Sequence, residues 1–423
     1  MPGRASELLS VALLALSVCV APCVARAHAP LPRALSVARD GASVALSLPG
    51  FGMLVRGEEG QPFAYACDAL LGIPLAIDPP ALARRDDGVL LIGTSAGLRA
   101  MTPDGCPHAL AEALPAAPVH ALAIAGDVVY AVAGQGLWRS ADLGEHWQPR
   151  APFVGGERVA GMRVDPRDDA RLYVSRASAL LVFDGAGSAL ATFAQERALT
   201  LLHAEASGRL WAMRASAVQQ GNRGFEIVRA ESAAGPWRVV HTVRYFGGLA
   251  VDADGTVWVG DEGGGLFRSD DGEVFRAVAP DLSTACIAAG ADALWVGTSV
   301  STLEEALLTR IDAADQPATA ARYLEADRMV TCDVDVARVC APAWVEWQRD
   351  VLMRGADAGV TVAADTEASA RDGGTDATES VLVAPDSQRA AEIDEAGCAL
   401  APRGGFAWAW LLAVLALRTR RRR

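Results

Sequence analysis

One short pattern recurs along most of the chain at a nearly constant interval, and it leaves little choice of fold. Between residues 36 and 327, a run rich in branched and aromatic residues is followed by a Gly-containing turn, a second such run and a polar turn. The runs start at Ser43, Val89, Val128, Arg171, Arg209, Thr256 and Ala293, so successive starts lie 46, 39, 43, 38, 47 and 37 residues apart. Partner runs follow, as in Leu137-Trp-Arg-Ser, Leu180-Leu-Val-Phe-Asp and Leu266-Phe-Arg-Ser. A lone short sheet cannot cover both its apolar faces. Stacking such sheets radially as blades covers them, which makes a period of about 40 residues with alternating short strands the mark of a β-propeller. The expected fold class is all-β: a propeller of seven four-stranded blades spanning residues 28–327, with residues 33–40 as a candidate closing strand.

The turns after the partner runs carry a second repeat. Ser140-Ala-Asp142-Leu-Gly144-Glu-His-Trp147 fits the pattern Ser-x-Asp-x-Gly-x-x-Trp without a gap, and shortened forms recur at Ser269-x-Asp271-Gly272-x-x-Phe275, Thr102-x-Asp104-Gly105-x-x-His108 and Gly57-x-Glu59-Gly60-x-x-Phe63. In such a turn the carboxylate accepts bonds from nearby backbone N–H groups, Gly takes the positive-φ position and the aromatic closes over the hairpin. These residues hold a turn and carry no chemistry. On this motif the chain resembles the Asp-box (BNR) propellers, a group that includes sialidases, some glucanases and the photosystem II assembly propellers. The resemblance implies architecture. A sialidase would also bring an arginine triad, a Tyr nucleophile and a Phe/Tyr-Arg-Ile-Pro motif, and that motif is absent.

Both ends of the chain read as sorting signals. Arg4, the apolar stretch Leu8 to Val24 and Ala25-Arg26-Ala27 form a signal-peptide pattern over residues 1–27. At the other end, Gly397-Cys398, the apolar run Phe406 to Leu417 and the cluster Arg418, Arg420, Arg421, Arg422 and Arg423 follow one another. The apolar run is short for a full span, and the arginines favour the cytoplasmic side. Residues 397–423 resemble the myxobacterial MYXO-CTERM signal. That resemblance implies a transmembrane sorting helix, a sorting protease acting near Cys398, a lipid on Cys398 and display on the outer surface after an inner-membrane intermediate. Between propeller and tail, residues 328–354 (Cys332, Cys340, Pro342, Trp344, Trp347) read as a Cys-pinned cap. Residues 355–396, with ten acidic residues against Arg371 and Arg389, read as a disordered acidic stalk held extended by its own repulsion.

Charge and cysteine use narrow the function classes. The formal net charge is −13 before either signal is removed, and both signals carry net positive charge, so nucleic acid is not an expected partner. The chain contains no Lys, which excludes Walker-lysine, Schiff-base and Ser-x-x-Lys chemistry. In an oxidising compartment the expected disulfides are Cys332–Cys340, close in sequence, and Cys67–Cys106, with Cys286 a small buried hydrophobe. No Cys-x-x-Cys or paired-His spacing suggests zinc, and no cofactor is implied. Asp252-Ala-Asp254-Gly255 lacks the later ligands of a calcium loop and reads as a hairpin turn. His108, His120, His146, His203 and His241 are scattered singly, and most of the five tyrosines fall inside expected strands.

No catalytic residue is assigned. The favoured reading is an exported, surface-anchored propeller acting as a non-enzymatic module that binds an envelope or extracellular protein or glycan. A sialidase-like Asp-box glycoside hydrolase and an envelope assembly factor are the alternatives.

Overall fold

A computed structural model describes residues 32–347, apart from 33, 39–40, 49–50, 73–79, 112–113, 153–158, 217–223, 300–305, 323–325, 327, 333–334, 337, 346. The expected signal peptide, the stalk, the sorting segment and Cys398 lie outside the described residues. Among those described, no helix is long and apolar enough to cross a membrane.

Every one of the seven runs becomes the second strand of a blade: β2 (Val44–Leu48), β6 (Leu90–Thr94), β9 (Val128–Ala133), β13 (Asp168–Arg176), β17 (Leu210–Ala215), β21 (Val257–Asp261) and β25 (Leu294–Thr298). In β2, β6, β21 and β25 every residue is buried, because both faces of the strand are covered by neighbouring blades. Their partner runs are the third strands, β3 (Gly52–Arg56), β7 (Gly97–Met101), β10 (Gly136–Ser140), β14 (Ala179–Phe183), β18 (Phe225–Ala230), β22 (Gly265–Ser269) and β26 (Leu308–Ile311). The innermost strands are β1 (Ala34–Val37), β5 (Ala81–Arg84), β8 (Val119–Ala125), β12 (Val159–Asp165), β16 (Thr200–Ala204), β20 (Phe246–Val251) and β24 (Thr284–Ala289). Each packs on the innermost strand of the next blade, and β24 meets β1, which closes the ring. The protein is a seven-bladed β-propeller.

Two blades depart from the expected four strands. Among the described residues the second sheet has β5, β6 and β7 alone, with an isolated bridge between Met101 and Pro107 where a fourth strand belongs. Pro103, Pro107, Pro115 and Pro118 fill this segment, and a proline offers no N–H to a ladder. The first sheet has five strands in the order β1-β2-β3-β4-β28, where β4 is Ala64–Ala66 and β28 is Arg328–Met329. Of residues 33–40, the candidate closing strand, Ala34–Val37 form the innermost strand of their own blade, and the added strand is the C-terminal β28. It runs parallel to β4, with Arg328 opposite Ala64 and Met329 opposite Tyr65, and Val330 N donates to Tyr65 O at 3.0 Å.

This added strand decides the disulfides, and it corrects the expected pairing. Cys332 is bonded to Cys106 and Cys340 to Cys67, not Cys332 to Cys340 or Cys67 to Cys106. Parallel pairing carries the chain along the outer edge of blade one and delivers Cys332 to the turn of blade two. A short helix over residues 338–345 then brings Cys340 back to the end of β4. Trp344 and Trp347 pack on Tyr65 with ring centroids 5.6 and 5.3 Å away. Closeness along the chain is a poor guide here, because the strand between the cysteines and the blades sets which sulfurs meet. Cys286 is buried and belongs to neither disulfide.

The bridges span 273 and 226 residues, so they remove much of the freedom of the unfolded chain. Replacing Cys67 and Cys340 with Ser should lower the unfolding free energy by about 2–5 kcal/mol. Urea titration under oxidising conditions measures it; unchanged stability would mean that the bridge closes nothing.

Candidate functional site

A meander places the turns from first to second and from third to fourth strand at one end of every blade. The expected motif turns all lie on that end. After β10, Ser140 Oγ donates to Asp142 Oδ1 at 2.6 Å and accepts from Gly144 N at 2.8 Å, while Asp142 accepts from His146 N at 3.0 Å and from its ring at 2.6 Å. The Ser140 hydroxyl and the backbone and ring of His146 hold the Asp142 carboxyl down at about 2. Gly144 has φ +94, and Trp147 is buried against Leu91 of the preceding blade. After β22, Asp271 accepts from Val274 N and Glu273 N at 3.0 and 2.7 Å and from the Ser269 hydroxyl at 3.0 Å. Phe275 lies in the seam with blade five, stacked on His241 at 4.8 Å. Thr102 and Asp104 are hydrogen-bonded in the shorter turn of blade two, where Gly105 has φ +92.

A second set of residues, not singled out from the sequence, links these turns to the blade cores. Trp211, Trp258 and Trp295 occupy one equivalent position on β17, β21 and β25, and each faces an arginine on its third strand: Arg229, Arg268 and Arg310. Arg229 sits 5.7 Å over the Trp211 ring and Arg268 5.3 Å over that of Trp258. The guanidinium then reaches the next blade. Arg229 donates to Gly272 O at 3.0 Å and pairs with Glu273; Arg268 pairs with Asp315 at 2.6 Å. On the other side an acid closing the first strand accepts the indole N–H, Glu205 from Trp211 at 2.5 Å and Asp252 from Trp258 at 3.2 Å. In blade four, Asp165 does the same for the Tyr173 hydroxyl at 2.7 Å. The signal was present as an acid six residues before Trp in Glu205-x5-Trp211 and Asp252-x5-Trp258.

Between blades six and seven this face opens into a cleft of about 220 Å³, lined in part by Asp252, Asp254, Trp258, Arg268, Asp292 and Asp312. Most of its acids hold structure. Asp252 also caps its own turn by accepting from Asp254 N and Thr256 N at 3.0 and 2.9 Å. Asp292 pairs with Arg310 at 2.6 Å, and Asp312 accepts from Ala314 N and Gln316 N. On the opposite face, burial pushes the Asp68 carboxyl up to about 6. Of the tyrosines, Tyr65, Tyr130 and Tyr173 are buried in blade strands, Tyr245 is exposed between β19 (Arg238–Val243) and β20, and Tyr323 lies outside the described residues.

No family model and no curated protein sequence matches the chain. The class defined by its structure, the seven-bladed propeller, is shared with distant solved proteins. Virginiamycin B lyase from Staphylococcus aureus is 11% identical at a TM-score of 0.49, over 64% of this chain and 93% of that one. An ancestral GH74 enzyme is 12% identical at a TM-score of 0.50, over 68% of this chain and 46% of that one, so the chain spans less than half its length. At such identities the likeness is one of fold, and fold does not carry activity.

Two substitutions test the acid–aromatic contacts. The Asp165 carboxylate is buried, which by itself would raise its pKa, but bonds from Arg167 and Tyr173 outweigh this and hold it at about 2. Its stabilising effect is therefore present above the ordinary carboxylate range and is lost as pH falls from about 4 toward 2. Asp165→Asn should cost about 2 kcal/mol at pH 7, with the difference from wild type shrinking below pH 4 in urea titrations. In blade seven, Gly290 stands where Asp252 stands in blade six, and the buried Trp295 Nε1 has no partner among the described residues. A Cβ at Gly290 would lie 3.4 Å from that nitrogen. Gly290→Asp should stabilise the fold by about 1 kcal/mol, and a lower melting temperature would refute the equivalence.

Proposed function

We propose that this chain is an exported, surface-anchored propeller that binds a protein or glycan of the envelope or the extracellular medium and does not transform it. The observation that supports this most directly is the use of its carboxylates. Asp142, Asp165, Glu205, Asp252 and Asp271 each accept two or more hydrogen bonds from turn backbone, a serine hydroxyl, an aromatic N–H or O–H, or an arginine. Glycoside hydrolysis asks for two carboxyls free to act on one bond, one held protonated near neutral pH. Two long-range disulfides fit an oxidising compartment, as the terminal signals imply. Anchoring rests on the resemblance of residues 397–423 to the sorting signal and on Cys398.

Asp68 is the observation that favours a glycoside hydrolase instead, since a carboxyl held at about 6 suits a general acid. The two readings part in one assay. The full chain, offered a panel of envelope and extracellular polysaccharides and peptides, should retain a ligand without releasing new reducing ends. Release of reducing ends that Asp68→Asn abolishes would overturn the binding reading. Cys398→Ala should abolish surface labelling of intact cells, and undiminished labelling would remove the sorting signal from the account.

A further inference from the structure

In blades four to seven, the last regular pair between first and second strand is Val164 with Leu172, Ala204 with Leu210, Val251 with Val257 and Ala289 with Leu294. The next residue along the first strand is Asp165, Glu205, Asp252 and Gly290 in turn. Three successive blades place an acid there, and its carboxylate accepts from the aromatic N–H or O–H of the second strand. Blade seven keeps the aromatic, Trp295, and lacks the acid.

The result is a buried donor with nothing to bond, since Trp295 Nε1 has no partner among the described residues. A Cβ at Gly290 would lie 3.4 Å from that nitrogen, so the side chain that glycine lacks is the one that would reach it. Trp147 and Trp237 also leave an indole N–H unpaired, but neither stands on a second strand, where blades four to six supply an acid. A buried donor without an acceptor costs about 1–3 kcal/mol and calls for an explanation.

The charges around Trp295 are also out of balance. Between blades five and six Arg229 meets Glu231 and Glu273, and between blades six and seven Arg268 meets Asp270 and Asp315. Where blade seven meets blade one, Arg310 pairs with Asp292 at 2.6 Å, but Arg56 has no carboxylate within ion-pair distance among the described residues. Arg56 lies 5.0 Å over the Trp295 ring and donates to Ala42 O and Gly41 O, both at 3.3 Å. The same Gly41 joins the two arginines in space, because a Cβ on it would lie 3.3 Å from Asp292 Oδ1. Burial lowers the Arg56 pKa, Glu59 opposes this from a distance, and Arg310 adds to it. Gly290 is half-buried and Ala291 and Asp292 are exposed, so the indole lies one turn of chain from solvent.

We propose that the turn end of the seam between blades seven and one binds a carboxylate group of a ligand, which accepts from Trp295 Nε1 as the chain's own acid does in blades five and six. A neutral acceptor would satisfy the indole but leave Arg56 without a counter-charge. A carboxylate answers both, and its planar pair of oxygens suits a guanidinium. Acetate is the side chain that Asp252 carries and Gly290 lacks, which makes it the natural probe. The proposal rests on the reading of the propeller as a binding module and adds that its ligand is acidic. The two fail separately: release of reducing ends would sink that reading without touching acetate affinity, and a propeller that ignores acetate can still retain a partner on another face.

The experiment is calorimetric titration of the full chain with acetate and with sulfate at pH 7 and constant ionic strength. Saturable acetate binding is expected, with sulfate weaker because its tetrahedral shape matches the site less well than a carboxylate. Gly290→Asp, which supplies the acid from the chain itself, and Arg56→Gln should each weaken acetate at least about tenfold. Arg238→Gln, at an exposed ion pair with Glu273 in another seam, should leave it unchanged. If either of the first two variants fails to fold, one indole N–H resonance of the wild type, and not the others, must still move with acetate along a single saturation curve. No saturable acetate binding, equal affinity in Gly290→Asp or Arg56→Gln, sulfate bound as tightly as acetate, or unmoved indole resonances would overturn the proposal.

Discussion

The seam between blades holds this molecule together. A blade buries little within itself, and its two faces become a core only when the next blade lies against them. At the seams the structure adds direction to that burial through a chain of contacts: an acid at the end of the first strand, the aromatic of the second, the arginine of the third and an acid or carbonyl of the next blade's turn. From Glu205 through Trp211 and Arg229 to Glu273, and from Asp252 through Trp258 and Arg268 to Asp315, the same relay repeats. Each arginine covers an aromatic face and spends its hydrogen bonds on the neighbour, so rotation of one blade on the next breaks polar contacts as well as apolar ones. The motif turns serve the same end. Their aromatics, Trp147 and Phe275, wedge into the seam behind them.

The ring closes where the first blade meets the last. Here the innermost strands β1 and β24 pack as at every other seam, but Trp295 lacks the acid that its counterparts have. Arg56 fills part of the gap, lying over both Phe63 and Trp295 at 5.3 and 5.0 Å. The C-terminal segment acts elsewhere, on the outside of blade one, where β28 covers an edge that would otherwise offer unpaired backbone groups. Two disulfides tie that segment to blades one and two. The closure is thus divided between packing at the axis and covalent bonds at the rim.

Much of this was legible in advance, and the exceptions are instructive. The second strands announced themselves because they are buried on both faces and so carry unbroken apolar runs. Ser140, Asp142 and Gly144 were legible because turn chemistry is local: the bonds they make reach only a few residues. The cysteine pairing was not, since it depends on a two-residue parallel strand that no periodicity reveals. Proline spacing between Met101 and Val119 would have warned that blade two lacks its fourth strand. Arg229 and Arg268 stood out to no sequence rule, because the carbonyl or acid that each reaches lies in the next blade and only the ring brings it near.

The sequence by itself determined the class of fold, the number of blades and the turns that end their third strands, all consequences of interactions within a span of about 40 residues. Tertiary structure alone decided which sulfurs meet, which arginine crosses to which blade, and where the near-sevenfold pattern breaks. The physical reason is distance along the chain. Strand burial and turn hydrogen bonds are set by neighbours in sequence, whereas disulfide partners 273 and 226 residues apart, and side chains that meet across a seam, are set by how the ring closes.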